Sequence, residues 1–151
     1  MVISNVSIYR TIAEEAYIKM VNGVENQRTP KQNGTGWIIK YDPGHMSFKN
    51  AMIVVVFTGM WLEALLHIRI VQKYDEKKFK QYDFKSYKDK LRLLGVEDEE
   101  LLEKVERFRK IRKELVHEKA FLDDGTIKTA QEEAKIAYEI MKDVRAKCLS
   151  S

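Results

Sequence analysis

Two residues near the end of one predicted helix, Arg112 and His117, could act together on a phosphodiester. A guanidinium donates paired hydrogen bonds to phosphate oxygens, and a neutral imidazole can take up a proton. Five positions turn His117 roughly 140° round the helix from Arg112, to the edge of the same face. We therefore expect the histidine to lie where water or a substrate could reach it, beside a phosphate-binding arginine.

The position of Arg112 is unusual for a charged side chain. With residues 101–118 as one helix, Arg112 falls about 20° from Leu101, near the middle of an apolar stripe. A guanidinium there stays charged and needs a partner, because an unpaired buried charge costs several kcal/mol. The stripe consists of Leu101, Val105, Phe108, Ile111 and Leu115. The alternative is a purely structural arginine, with His117 interacting favourably with the helix dipole.

Glu63 is the predicted partner of Arg112. On the central apolar helix it shares a face with Met52, Val56 and Ile70, so we expect it to point into apolar surroundings. A buried carboxylate on one helix and a buried guanidinium on another would compensate each other. In this interpretation Glu63 orients the arginine and takes no part in chemistry.

Metal and cofactor sites are not expected. His67 follows Glu63 by one helical turn, but this half-site supplies two ligands, and the chain has three histidines in all. The single cysteine, Cys148, excludes an intramolecular disulfide and a cysteine-based zinc cluster, and it suits a reducing compartment. The sequence thus predicts a cytoplasmic protein without a metal or cofactor.

The composition is that of an ordinary globular domain. The chain has 151 residues, of which 44% are hydrophobic and 33% charged, and its formal net charge of +4 mildly favours an anionic partner. Residues 1–9 lack the basic start and apolar run of a signal peptide. Residues 51–71 are very apolar, but Glu63, His67 and Arg69 interrupt them. We interpret this segment as a buried helix and not as a membrane span.

The pattern of apolar residues and helix caps predicts an all-α protein, an antiparallel bundle of about five helices. The helices are expected at 4–21, 47–74 with Ser47 as cap, 86–95, 101–118, and from a capping box at Thr129 and Glu132 onward. Residues 22–45 have loop composition, with a Gly/Pro-rich loop or short hairpin arm around 37–41 and a later turn at 123–125. The whole chain, 1–151, is read as a single domain. Its N-terminal helix and arm span 1–46, and its core bundle spans 47–148.

An arginine, four to six intervening residues and then a histidine near the end of a bundle helix resemble the motif of the HEPN domain family. Residues 108–118 resemble the motif helix of that family, and the apolar residues 57–66 resemble its early helix. The likeness covers about 47–148. Two positions depart from it: Lys113 follows the arginine where the family often has asparagine or another small polar residue. Lys119 stands where one toxin subgroup has a tyrosine that its antitoxin modifies.

The resemblance implies metal-independent RNA cleavage in a homodimer, of the kind found in toxin–antitoxin or phage-defence systems. His117 would act as general base or acid and Arg112 would hold the scissile phosphate, leaving a 2′,3′-cyclic phosphate and a 5′-hydroxyl. Glu63, Arg109 and Lys113 would support the site. Partners would be RNA, a second copy, and an antitoxin or nucleotidyltransferase.

The charge pattern is compatible with RNA. Between residues 73 and 92, eight basic residues stand against four acidic ones, interleaved with aromatic side chains at 74, 79, 82, 84 and 87. The same pattern is also expected for a solvated helix face whose aromatic residues belong to the core. Two further interpretations therefore stay open: a binding module that does not cleave, and a helical interaction protein in which Arg112 and Glu63 only fix the packing.

Overall fold

The computed structural model describes residues 4–26, 28–39, 43–117 and 129–149, and these form a helical bundle. Two three-residue strands, β1 (Arg28–Pro30) and β2 (Trp37–Ile39), pair antiparallel after the first helix, and a 3₁₀ turn, Pro43–His45, leads into the second. The described helices are α1 (Asn5–Asn26), α2 (Met46–Lys73), α3 (Glu76–Tyr82), α4 (Tyr87–Leu93), α5 (Glu99–His117) and α6 (Thr129–Leu149). The all-α helical bundle predicted from the sequence is confirmed.

The 28-residue helix α2 is the centre of the bundle, and each of the other five helices packs against it. Its apolar side chains go nearly all the way round, so several faces are buried at once. The largest of these fully buried side chains are Trp61, Leu62, Leu66 and Ile70. By length and composition alone α2 could also cross a membrane, although half of its most apolar window is buried inside the bundle.

The start of α2 differs from the expectation. The helix begins at Met46, after His45 in a left-handed conformation (φ 55°), and Ser47 already lies inside the first turn. Ser47 is buried, and its hydroxyl accepts a hydrogen bond from the Gln131 amide at 3.1 Å. The predicted cap was wrong because the hydroxyl is used to join α2 to α6.

Side-chain caps position the two helices that carry most of the site. The Ser86 hydroxyl accepts from the backbone N–H of Asp89 at 3.1 Å, which fixes the start of α4. Asp98 does the same for α5 by accepting from the N–H of Leu101 at 3.1 Å. Gly95, at φ 93°, turns the chain between the two helices.

The end of α1 and the whole of α3 were not predicted. α1 continues five residues past the predicted end at 21, through Gly23, so a glycine cost of about 1 kcal/mol did not end it. α3 was not predicted, because it has no buried residue and hence no apolar stripe. It starts at Asp75, whose carboxylate accepts from the N–H of Lys78 at 2.6 Å. The predicted turn at 123–125, and the Thr129 side chain of the capping box, lie outside the description.

The predicted stripe of α5 faces the core. Leu101, Val105, Phe108 and Leu115 are buried, and Ile111 is half-buried against the same cluster. Arg112 lies on this stripe with a side chain that is 20% exposed. The helix therefore directs a charged group between itself and α2.

Candidate nucleic-acid interface

The Arg112 side chain leaves α5 and crosses the backbone of α2 at Gly59. A Cβ atom built on Gly59 would fall 2.9 Å from Arg112 Cζ and closer still to Cδ and Nε. Only a glycine therefore leaves room for the guanidinium in this position. Nε is buried here and has no hydrogen-bond partner among the described residues. Such an unsatisfied group costs about 1–3 kcal/mol or more when it is charged, so the packing around it must hold the side chain in place.

At its end the guanidinium meets a carboxylate and a phenol. Arg112 Nη1 lies 3.2 Å from Glu63 Oε1 and 3.4 Å from the hydroxyl of Tyr87. The Tyr87 hydroxyl donates to the same Glu63 oxygen at 2.7 Å. One carboxylate oxygen therefore joins α2, α4 and α5.

The expected burial of Glu63 was wrong, although the pairing with Arg112 is present. The Glu63 side chain is 51% exposed, since the face of α2 that carries it is buried unevenly: Met52 and Val56 are half-buried, whereas Ile70 is fully buried. An ion pair as exposed as this contributes at most about 1 kcal/mol to stability. Glu63 therefore orients the arginine more than it stabilises the fold.

Tyr87 was predicted only as one aromatic residue of the basic run at 73–92, and not as a partner of Arg112 and Glu63. It is 4% exposed, and burial together with its hydrogen bond to Glu63 raises the pKa of the phenol far above its ordinary value. The phenol thus stays neutral and donates a hydrogen bond to the carboxylate. A tyrosine at an apolar helical position is typical of the core, so no local signal indicated its contacts with α2 and α5.

Arg112, Glu63 and Tyr87 line one wall of an open cavity of about 430 Å³. Five cationic side chains surround this cavity against two carboxylates, a formal excess of three positive charges. The other lining residues are Phe79, Asp83, Phe84, Lys85, Lys90, Arg109 and Lys113. We call this the basic cavity. It draws its cations from two separate parts of the chain, the α3–α4 region and α5.

Two predicted supporting residues, Arg109 and Lys113, are brought to the basic cavity. Lys113 is exposed, and Arg109 is 48% exposed with a 3.4 Å contact to Glu106 on its own helix. Arg107, one of the basic residues near the motif, instead lies 2.6 Å from the buried carboxylate of Glu133 on α6. The arginines of α5 are therefore divided between the cavity and the helix packing.

Lys90 differs from the other cations because it is buried, with only 7% of its surface exposed. Its Nζ donates to the backbone carbonyl of Asp83 at 3.0 Å and lies 5.7 Å from the centre of the Phe79 ring. Burial lowers the pKa of this lysine below its ordinary value. Its geometry is that of a lysine that fixes the backbone at the end of α3.

His117 is the last residue of α5, and its side chain lies outside the description. Five helical residues place its backbone about 7.5 Å along the axis from that of Arg112. His67 is directed elsewhere: it lies 3.6 Å from Glu76 and edge-on to Phe79 at 4.4 Å between ring centres. The described contacts of Glu63 go to Arg112 and Tyr87.

Comparison of the chain with protein-family models, with curated proteins and with solved structures found no match. The resemblance to the HEPN family accordingly stays a prediction drawn from Arg112, His117 and their helix.

Proposed function

We propose that this protein is a metal-independent endoribonuclease of the HEPN type, which binds RNA in the basic cavity and cleaves it with Arg112 and His117. The observation that carries the proposal is the excess of positive charge around Arg112 in that cavity. Phosphate binding through several cations is the main source of affinity in protein–nucleic acid complexes. A cavity with this charge therefore favours a polyanion over a neutral or cationic ligand.

The chemistry follows from the two side chains. His117 takes the proton of an RNA 2′-hydroxyl, and the 2′-oxygen attacks the adjacent phosphorus. The bond from phosphorus to the 5′-oxygen breaks, and that oxygen leaves with a proton from an imidazolium in the second motif helix of a homodimer. The products are a 2′,3′-cyclic phosphate and a 5′-hydroxyl. No atom changes its oxidation state.

Only one end of the Arg112 guanidinium is available to bind a phosphate. Nε is buried against Gly59, and both described contacts use Nη1. Nη2 has no partner in the part of the chain that the structure describes, so it is the group that would reach the phosphate. There it would stabilise the charge that builds up as the 2′-oxygen attacks.

A second candidate is a binding module that keeps the same residues and does not cleave. It is favoured by the hydrogen bonds of Nη1 to Glu63 and Tyr87, which hold Arg112 for packing as well as for binding. In this case RNA or a nucleotide would occupy the basic cavity unchanged. A nucleotidyltransferase would be the fitting partner, whereas the nuclease fits a toxin with an antitoxin.

Incubation of the full chain with an end-labelled RNA and with the all-deoxy strand of the same sequence, both in EDTA, tests the proposal. The ribonuclease cuts the RNA, leaves cyclic phosphate ends and spares the strand without 2′-hydroxyls. Binding of both strands that weakens steeply with salt, with neither cut, would replace the nuclease by the binding module. Salt-independent binding, or none, would contradict both.

A further inference from the structure

Phe84 is exposed to a degree that is unusual for a phenylalanine. Its residue surface is 95% exposed, whereas Phe108 is fully buried and Phe48, Phe57 and Phe79 are at least partly buried. Burial of a phenylalanine side chain typically stabilises a fold by about 1.5–3 kcal/mol. Phe84 does not contribute this stabilisation. The exposed ring lies at the wall of the basic cavity and not on a distant surface.

The backbone on either side of Phe84 is held firmly. The N–H of Lys85 donates to the carbonyl of Tyr82 at 2.9 Å, which closes a turn around residues 83 and 84. The neighbouring carbonyl of Asp83 accepts from the buried Lys90 at 3.0 Å. A turn and a buried lysine thus hold the backbone that carries the exposed ring.

The cavity that Phe84 lines is also lined by cations. Lys85 follows Phe84 directly, and Arg109, Arg112 and Lys113 come from α5. An aromatic face next to a row of cations is the arrangement that binds single strands, because bases stack on the ring while phosphates meet the cations. Every nucleotide carries a base and a phosphate in one unit. A protein ligand would need an acidic side chain and an apolar side chain at a matching distance from each other.

We propose that Phe84 is a base-stacking residue that selects an unpaired nucleotide next to the phosphate held at Arg112. The inference rests on the proposed function, and it adds a requirement that Arg112 and His117 do not impose. A strand is accepted only where one base can leave its neighbours and lie on the Phe84 ring. Lys90 is then a positioning residue, since it holds the turn that carries the ring.

Binding of a fluorescent all-deoxy single strand measures stacking without cleavage. We expect Phe84→Ala to weaken binding about 5- to 150-fold, the range for loss of one stacked base. Phe84→Leu keeps an apolar side chain of similar size and should lose as much, whereas Phe84→Trp should bind as wild type does. The matched control is a strand of equal length with abasic sites, for which Phe84→Ala should change nothing.

The outcomes separate this inference from the function on which it rests. Wild-type affinity in Phe84→Leu, or equal wild-type binding of abasic and base-containing strands, would overturn the stacking role while the cavity still bound nucleic acid. A wild-type chain that binds no strand would overturn both proposals.

Discussion

Gly59 and Arg112 occupy one shared space between α2 and α5. The guanidinium lies where the side chain of any other residue at position 59 would begin, with Cζ 2.9 Å from the place of a Cβ. The two positions are 53 residues apart in the chain. Arg112 can therefore place its charge here only because position 59 has no side chain.

Gly59→Ala is expected to displace the guanidinium while leaving Arg112 in the sequence. The methyl group takes the space of Nε, so Arg112 loses its contacts with Glu63 and Tyr87. RNA cleavage should fall about 100-fold, as for loss of a donor that stabilises transition-state charge. Single-turnover cleavage rates measure this.

Gly23→Ala is the matched control for that substitution. It adds the same methyl group inside α1, where nothing lies within 4 Å, and should stabilise the helix by up to about 1 kcal/mol without changing cleavage. Cleavage by Gly59→Ala at the rate of Gly23→Ala would mean that the position of Arg112 does not matter for the reaction.

Glu63→Gln is expected to strengthen RNA binding with little loss of stability. The amide oxygen still accepts from Tyr87, but the negative charge beside the basic cavity is gone. Because the carboxylate is 51% exposed, the free energy of unfolding should fall by less than about 1 kcal/mol. Fluorescence anisotropy and urea unfolding give the two values. Weaker RNA binding would contradict this prediction, since it would mean that an amide oxygen cannot replace the carboxylate in orienting Arg112.

The free energy of unfolding should fall in alkaline solution because of Tyr87. Burial and the hydrogen bond to Glu63 raise the pKa of the folded phenol, so the unfolded chain loses this proton first, near its ordinary pKa of about 10. The stabilisation is therefore complete below about pH 10 and is lost above it, by up to about 1.4 kcal/mol per pH unit.

Urea unfolding of the wild type and Tyr87→Phe between pH 8 and pH 11 measures this effect as a difference. The advantage of the wild type should shrink as the pH rises, since phenylalanine carries no proton. A difference that stays constant across the range would contradict the environment described for the phenol.

The spacing of apolar residues was enough to predict those features of the fold and the site that depend on a single helix. The apolar stripe of α5 predicted Arg112 on the core-facing side of the helix, where its side chain is 20% exposed, and the anomaly of Glu63 on α2 identified its partner. The exposure of Glu63 was missed, since a helix face that is only partly buried has the same apolar pattern as one that is buried along its whole length. Tyr87 and Gly59 were missed because their roles exist only when α2, α4 and α5 meet.

Arg107→Ala should destabilise the fold more than removal of a surface arginine. It leaves the carboxylate of Glu133, with a side chain only 2% exposed, without its 2.6 Å partner. We expect a loss of about 1–3 kcal/mol, the cost of an unsatisfied buried group. Arg92→Ala, which removes an exposed pair with Glu99, is the control and should cost less than about 1 kcal/mol.

Adding Glu133→Gln to Arg107→Ala should recover part of that loss, because a neutral amide is easier to bury than a charge. Thermal unfolding of the three variants gives the order of their stabilities. Equal melting temperatures for Arg107→Ala and Arg92→Ala would mean that Glu133 does not depend on its arginine.

The most direct test of the central claim compares RNA cleavage in EDTA by the wild type, His117→Ala and Arg112→Ala, each shown to be folded. We predict that the wild type cuts a 3′-labelled structured RNA, and that either substitution lowers the rate at least about 100-fold, as expected for loss of an acid–base or charge-stabilising group. Equal cleavage by all three proteins, or none by the wild type, would contradict the assignment of these two residues to catalysis.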